Sequence, residues 1–319
     1  MDQLSLHSPC HLFISSSIAQ DDQLALKKDL SKALATPVDI RVVSPEKWSI
    51  EKTDHPYVYG LLDHTDIKKT TLQKPLFKPP TQGLNVSCAI FGPEISPPEC
   101  DGAYDLGLYT IINPKQPKYL QALLCWLAFQ QAQPIQSLFS PSLRQYTIKN
   151  TGDLKSCFHT IQSDCQKHRI KDWEGFSTAI MEALTNAIYH APRDGSGHEI
   201  YQKGESIDSL SPEHYVTVHA GLSDSGYLVH IKDQCGTLTP QDVAYWLNQN
   251  LKGEGILDSH GRGLFLMLQL VNQMFIAIDP KRSTEIMLMK APEGETPSDI
   301  PSPLYLFSKP LPREDKGSA

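Results

Sequence analysis

The chain has 319 residues, 40% of them hydrophobic, and a formal net charge of −7, which leaves room for two domains that each bury a core. An isoelectric point near 5.9 and the lack of any long Lys/Arg run exclude the electrostatic footprint of a nucleic-acid or acidic-membrane binder. No basic leader precedes an apolar segment at the N-terminus and no apolar run reaches about 18 residues, so a soluble, cytoplasmic protein is expected.

From the N-terminus onward, short apolar runs alternate with helical patterns. "CHLFISSS" from Cys10, "VDIRVV" from Val38, "YVYGLLD" from Tyr57, "VSCAIFG" from Val86 and "YTIINP" from Tyr109 read as strands. "DDQLALKKDLSKAL" from Asp21 reads as a helix, and "YLQALLCWLAFQQA" from Tyr119 closes the series as an apolar one. This alternation predicts an α/β domain with a mainly parallel sheet over residues 1–132. Lys68 to Gly83 is too rich in Pro, Lys and Thr to make a good helix. Gln133 to Gln145 carries two prolines and three serines, and a linker is expected over residues 133–144.

The pattern changes at Tyr146. "YTIKN" reads as a strand, "GDLKSCFHTIQSDCQKH" from Gly152 as an amphipathic helix, and "DWEGFSTAIMEALTNAIYHA" from Asp172 as a more apolar helix ending before Pro192. Arg193 to Pro212, rich in Gly, Ser and Glu, reads as loop. "HYVTVHAGLSDSGYLVHIKD" from His214 alternates and turns at Ser223 to Gly226, the signature of an antiparallel hairpin. Gln234 to Gly263 reads as mostly loop, "LFLMLQLVNQMF" from Leu264 as a helix and "TEIMLMK" from Thr284 as a strand. Residues 291–319 hold six prolines and are expected to be a poorly ordered tail. Seven cysteines, an odd number with no CxxC pair and no zinc spacing, read as reduced structural thiols.

Three patterns in the second half carry chemistry. Glu182, Asn186 and His190 recur at every fourth residue, which stacks three polar groups on one helix stripe while Ile180, Leu184 and Ile188 can face a core. An Asn oxygen on a rigid helix suits Mg²⁺, which takes few protein ligands and completes its shell with water and phosphates. "KDQCGTL" places Asp233 at a strand end with Gly236 shortly after it. The carboxylate can accept a hydrogen bond from an exocyclic amine such as that of adenine, and the glycine lets backbone approach a flat ring, although turn chemistry alone favours Asp and Gly there. "DSHGRGLFLMLQLV" sets Gly261 and Gly263 before an apolar helix, where free N–H groups can receive phosphate oxygens. A magnesium ligand, a base-reading carboxylate and a phosphate cradle are together the parts of an ATP site.

These motifs, E-A-L-T-N-A-I-Y-H, D-x-x-G, G-x-G-L-F-L and Thr284 in "STEIMLMK", resemble the ATP-binding domain shared by histidine kinases, gyrase and bacterial anti-sigma-factor serine kinases. The resemblance spans roughly residues 145–290. It is closest to the anti-sigma branch, because the domain is compact, the first motif has the form E-x-x-x-N-A-x-x-H and no phosphoacceptor histidine helix precedes it. It implies an α/β sandwich of a mixed sheet and helices that holds ATP and Mg²⁺ under a mobile lid over about residues 237–260. By the resemblance, Asn186 ligates Mg²⁺ and Glu182 orients or deprotonates the attacking hydroxyl or water. Asp233, with Gly236 and Thr284, reads the adenine, and Gly261, Arg262 and Gly263 close on the phosphates. His190 is read as a structural residue at the helix end. Asp233-Gln-Cys-Gly is one residue longer than the D-x-G of that family, and Arg193 to Pro212 is an added loop that suggests a lid or docking surface.

The first half resembles a response-regulator receiver domain with a degenerate phosphorylation set. Ser15, Ser16 and Ser17 stand where such domains keep acidic Mg²⁺ ligands, Asn113 precedes Pro114 where they keep a lysine, and only Asp63 keeps the phosphoacceptor position. Asp63 is therefore expected to be a poor acceptor, and the domain to work by surface contact through the helix Tyr119 to Gln130, on a second copy or on the ATP-binding domain. The whole is expected to be a regulator that transfers the ATP γ-phosphate to a Ser or Thr of a protein partner, an anti-sigma antagonist or sigma-factor-like regulator. Two alternatives stand beside it: a module that holds ATP and sequesters a partner without phosphorylating it, and a histidine-kinase-like enzyme lacking its own phosphoacceptor domain.

Overall fold

A computed structural model describes residues 6, 8, 10–16, 18–36, 38–43, 57–63, 85–91, 111–112, 119–140, 142–223, 226–251, 262–292 and 304–309. The chain divides into two compact units, residues 1–138 and 139–319, and the division falls inside the proline- and serine-rich segment 133–144. Both units are mixtures of helices and strands, so the protein is of the α/β class. Among the described residues no helix is long and apolar enough to cross a membrane.

The first unit runs β1 (Cys10–Ser15), α1 (Gln20–Ala33), β2 (Val38–Val43), β3 (Tyr57–Asp63), β4 (Asn85–Phe91), β5 (Ile111–Ile112) and α2 (Tyr119–Gln130). All five strands are parallel, in the order β2-β1-β3-β4-β5. Short apolar runs bounded by turn residues become buried parallel strands here: Leu12, Ile14 and Leu61 are fully buried. The Tyr59 ring meets Trp126 of α2 edge to face at 5.4 Å, and α1 turns Leu26 and Leu30 inward. In this strand order the chain changes direction between β1 and β3, and doubly wound sheets open a crevice at the carboxyl ends of such neighbours. Ser15 and Asp63 are the last residues of those two strands. Ser17, Lys68 to Gly83 and Asn113 lie outside the described residues.

The second unit runs β6 (Arg144–Ile148), α3 (Thr151–Lys167), α4 (Trp173–Thr185), β7 (Val216–Ser223), β8 (Gly226–Lys232), α5 (Pro240–Leu251), α6 (Arg262–Leu270), β9 (Gln273–Asp279), β10 (Ser283–Lys290) and β11 (Leu304–Ser308). Its six strands form one mixed sheet, β11-β9-β10-β8-β7-β6, antiparallel throughout except where β11 runs parallel to β9. Asn150 starts α3 by accepting the Asp153 N–H at 2.8 Å while the Asp153 carboxylate accepts the Lys149 N–H at 2.9 Å, a reciprocal cap.

Three local expectations are corrected. The apolar run from Leu264 is helical only to Leu270; Gln273 to Asp279 is a strand. β9 is buried almost throughout, so its side chains carry no alternation that could separate it from the helix before it. Asn272 marks the break: its N–H donates to Met289 O at 2.8 Å and its side-chain oxygen accepts the Ala291 N–H at 2.9 Å. The stretch read as loop from Gln234 contains α5, started by Thr239 Oγ1, which accepts the Asp242 N–H at 3.1 Å ahead of Pro240. Finally, Leu304–Ser308 in the proline-rich tail is an edge strand with Tyr305 and Phe307 buried. The Tyr305 ring stacks on Phe275 at 4.9 Å, and Lys309 Nζ meets Asp279 Oδ2 at 2.8 Å, contacts that outweigh the disorder its flanking prolines suggest.

A polar cluster, buried at His230 and Glu285 and half-buried at its ends, crosses the centre of this sheet. His219 on β7 lies opposite His230 on β8, with their Nδ1 atoms 3.3 Å apart. His230 Nε2 and Lys232 Nζ meet the two oxygens of Glu285 at 2.9 and 2.7 Å. Burial drives the His219 imidazole from its ordinary 6.5 down to about 4, with His230 and Lys232 acting the same way against Glu285. Burial alone would raise the Glu285 carboxyl, but the His230 and Lys232 contacts outweigh it and hold it at about 2. Between about pH 6.5 and 4 the unfolded chain thus binds a proton at His219 that the folded chain refuses. Stability is lost as pH falls across that window, at a slope that screening of the partly exposed His219 keeps below about 1.4 kcal/mol per unit. The Glu285 contribution is complete above its ordinary 4.5 and is lost only as pH falls towards about 2. Because His219 is only partly buried, solvent screening reduces the effect, and urea unfolding should show a loss of about 1 kcal/mol or less between about pH 7 and 5, which His219→Asn removes. The same slope in both proteins would contradict this assignment.

Candidate functional site

The helix α4 begins at Asp172, whose side chain accepts the Gly175 N–H at 3.2 Å, and buries Phe176, Ile180, Ala183 and Leu184. On its remaining stripe Glu182 and Asn186 are both half-buried, and neither side chain has a hydrogen-bond partner among the described residues. The regular spacing stops there. Asn186 opens a wider turn, Asn186–His190, closed by a hydrogen bond from Ala191 N–H to Asn186 O at 2.8 Å. Such π-type turns are rare and concentrate at functional sites. The stripe drawn from a constant pitch therefore ends at Asn186. His190 is engaged elsewhere, its Nδ1 lying 2.7 Å from Glu199 Oε1.

Helix α6 packs against α4, and at the contact is Gly263. A Cβ on Gly263 would stand 2.7 Å from Glu182 Oε2, so a side chain there would displace the carboxylate from its place against the first turn of α6. That turn carries free N–H groups and the positive end of the helix dipole, which favour an anion. Arg262, the first residue of α6, is exposed. Gly261 lies outside the described residues.

Asp233 follows β8 and is 5% exposed. Its Oδ1 accepts three backbone N–H groups, from Cys235 at 2.8 Å, Gly236 at 3.1 Å and Thr284 at 3.1 Å. No partner among the described residues falls on Oδ2. Burial pushes the carboxyl above its usual range while the three N–H groups, and the Thr284 hydroxyl beside it, pull it back. Thr284 is also 5% exposed, and its Oγ1 is buried beside the carboxylate with no partner at hydrogen-bonding geometry. Thr284 Oγ1 is thus a buried hydroxyl beside the carboxylate without a well-aligned partner, in a site where buried polar groups are normally paired.

Gly236 has a reason of its own, different from close approach to a ring. Its φ is +58°, and a Cβ there would stand 2.4 Å from Asp279 O, 2.6 Å from Arg282 N and 2.7 Å from Ser283 N, all backbone atoms of the β9–β10 turn. Gly236→Ala is expected to cost more than about 2 kcal/mol, read as a lowered thermal midpoint. An unchanged midpoint would show that the turn can move aside.

Thr237, which sequence reasoning passed over, ties the two halves of the site together. Its Oγ1 donates to Ala191 O at 2.9 Å, so the strand end bearing Asp233 is fastened to the end of the wide turn that Asn186 opens. The segment expected to form a lid, about residues 237–260, begins with this fastening and continues into α5; residues 252–260 lie outside the described residues. The added loop Arg193 to Pro212 is anchored rather than loose: Thr151 N–H donates to Ile207 O at 3.0 Å, Leu210 N–H to Lys149 O at 2.7 Å, and Ile207 and Leu210 are buried. Among the described residues no group of three or more His, Cys, Asp or Glu could hold a metal ion. A metal at Asn186 would thus be one held mainly by ligand oxygens and water, which is how Mg²⁺ is commonly bound. Neither a protein-family model nor a curated protein matches the sequence.

Proposed function

We propose that residues 145–290 bind Mg·ATP in the manner of the histidine-kinase-like ATPases, and that the protein is a cytoplasmic regulator acting as a serine/threonine kinase of the anti-sigma, partner-switching type. The observation that carries the nucleotide reading is the Asp233–Thr284 pair. A carboxylate whose Oδ1 is saturated by three N–H groups is held rigidly, with Oδ2 left to accept an amine and Thr284 Oγ1 beside it. An adenine edge offers such an amine next to a ring nitrogen.

Asn186 would ligate the Mg²⁺, which would neutralise charge on the phosphates. Arg262, Gly263 and the first-turn N–H groups of α6, with Gly261 before them, would face the phosphate oxygens. Glu182 would align or deprotonate the hydroxyl of a protein partner of the antagonist or sigma-like kind. The receiver-like first unit would act through surface contact. Calorimetric titration with Mg·ATP, followed by incubation with γ-labelled ATP and candidate partner domains, tests both steps. Binding with label transfer is expected. Binding without transfer favours an ATP-gated sequestering module, and no binding rejects the nucleotide reading.

A further inference from the structure

We infer that His190 and Glu199 form a positioning pair that braces the magnesium side of the site, so that the added loop serves as a fixed strap rather than a lid. Across the wide turn Asn186–His190, Ala191 N–H donates to Asn186 O at 2.8 Å. A turn of this width is intrinsically disfavoured against the regular helix, so contacts from outside must hold it. Three do so. Thr237 Oγ1 donates to Ala191 O at 2.9 Å, Tyr189 OH donates to Glu205 O at 3.1 Å, and His190 Nδ1 meets Glu199 Oε1 at 2.7 Å.

Two of these tethers come from the added loop. Glu199 is itself placed by the bridge between Arg193 and Glu199, by the Arg193 guanidinium 4.0 Å from its carboxylate, and by Ile200 N–H donating to Pro192 O at 3.1 Å. The far end of the loop is pinned at the start of α3 through Ile207 and Leu210. The strap therefore runs from the α3 cap to the end of the wide turn, and among the described residues its His190–Glu199 contact is the one that joins a side chain of the strap to a side chain of that turn. Losing it lets residues 187–191 relax towards helical pitch and shifts the turn that Asn186 opens.

This inference rests on the Mg·ATP reading, with Asn186 as the metal ligand. It predicts that Glu199→Gln weakens ATP binding in the presence of Mg²⁺ by up to about fivefold, the ceiling a half-exposed ion pair sets, while Mg²⁺-free ATP binding stays as in the wild type. His190→Gln should give the same loss and the double variant no further loss, since the two residues act as one unit. His190→Lys, which sets a permanent cation opposite Glu199, should keep most of the affinity that His190→Gln loses. Calorimetric titrations of the full chain with and without Mg²⁺ read all four. Wild-type affinity in Glu199→Gln, or an equal fall with and without Mg²⁺, overturns the bracing role while leaving the nucleotide reading intact. A wild-type chain that binds no ATP overturns both.

Discussion

Replacing Asp233 by asparagine is expected to weaken Mg·ATP binding about ten- to a hundredfold while leaving the fold in place, the cost of one charge-assisted hydrogen bond. The amide oxygen can take over the Cys235, Gly236 and Thr284 N–H groups that now converge on Oδ1. The amide nitrogen then replaces Oδ2 and turns an acceptor into a donor facing the adenine amine. Because burial works against the Asp233 charge, the neutral amide should not lower the melting midpoint. Asp233→Ala separates the two roles: three N–H groups lose their acceptor in a site 5% exposed, each orphan costing about 1–3 kcal/mol. Calorimetry and thermal melts on the same samples distinguish them. Equal ATP affinity in Asp233→Asn and wild type would leave Asp233 as the anchor of a turn and nothing more.

Glu182→Gln is expected to cut phosphoryl transfer by about a hundredfold or more, the usual contribution of a positioned base, with ATP binding kept within a few-fold. The side chain nearly preserves its shape against Gly263, but it can no longer take a proton. The competing explanation is that Glu182 serves only as an anion at the start of α6. That role is worth about 0.3–1 kcal/mol and would appear as a small drop in thermal midpoint without a change in transfer rate. Rapid-quench transfer assays and melts decide between them. A transfer rate equal to wild type would remove Glu182 from the chemistry.

Much of the architecture was legible along the chain because it depends on local spacing. Turn-bounded apolar runs marked the parallel strands from Cys10 to Phe91, and alternation marked the hairpin of β7 and β8. The amphipathic patterns from Gly152 and Asp172 marked α3 and α4, whose caps at Asn150 and Asp172 only the structure shows. The period of α4 also put Glu182 and Asn186 on one stripe. Thr239-Pro240 was an equally local signal for α5 that the glycine content after it obscured.

Spacing fixes which face a residue occupies but not what that face meets. Two apolar stretches in a row, α6 and β9, differ only in the neighbours that β10 and β11 offer. A strand in the proline-rich tail exists because Phe275 and the open edge of β9 receive it. Thr284 reaches the Asp233 carboxylate across 51 residues of chain, and Glu182 finds Gly263 only once α6 lies on α4. The wide turn, which ends the regular stripe at Asn186, is sustained by Glu199, Glu205 and Thr237 from other segments. By itself the sequence determined most of the elements and the residue types at the candidate site, but not β9, α5 or β11. Tertiary structure decided the partners, because hydrogen bonds and close packing between distant segments depend on positions that no local period encodes.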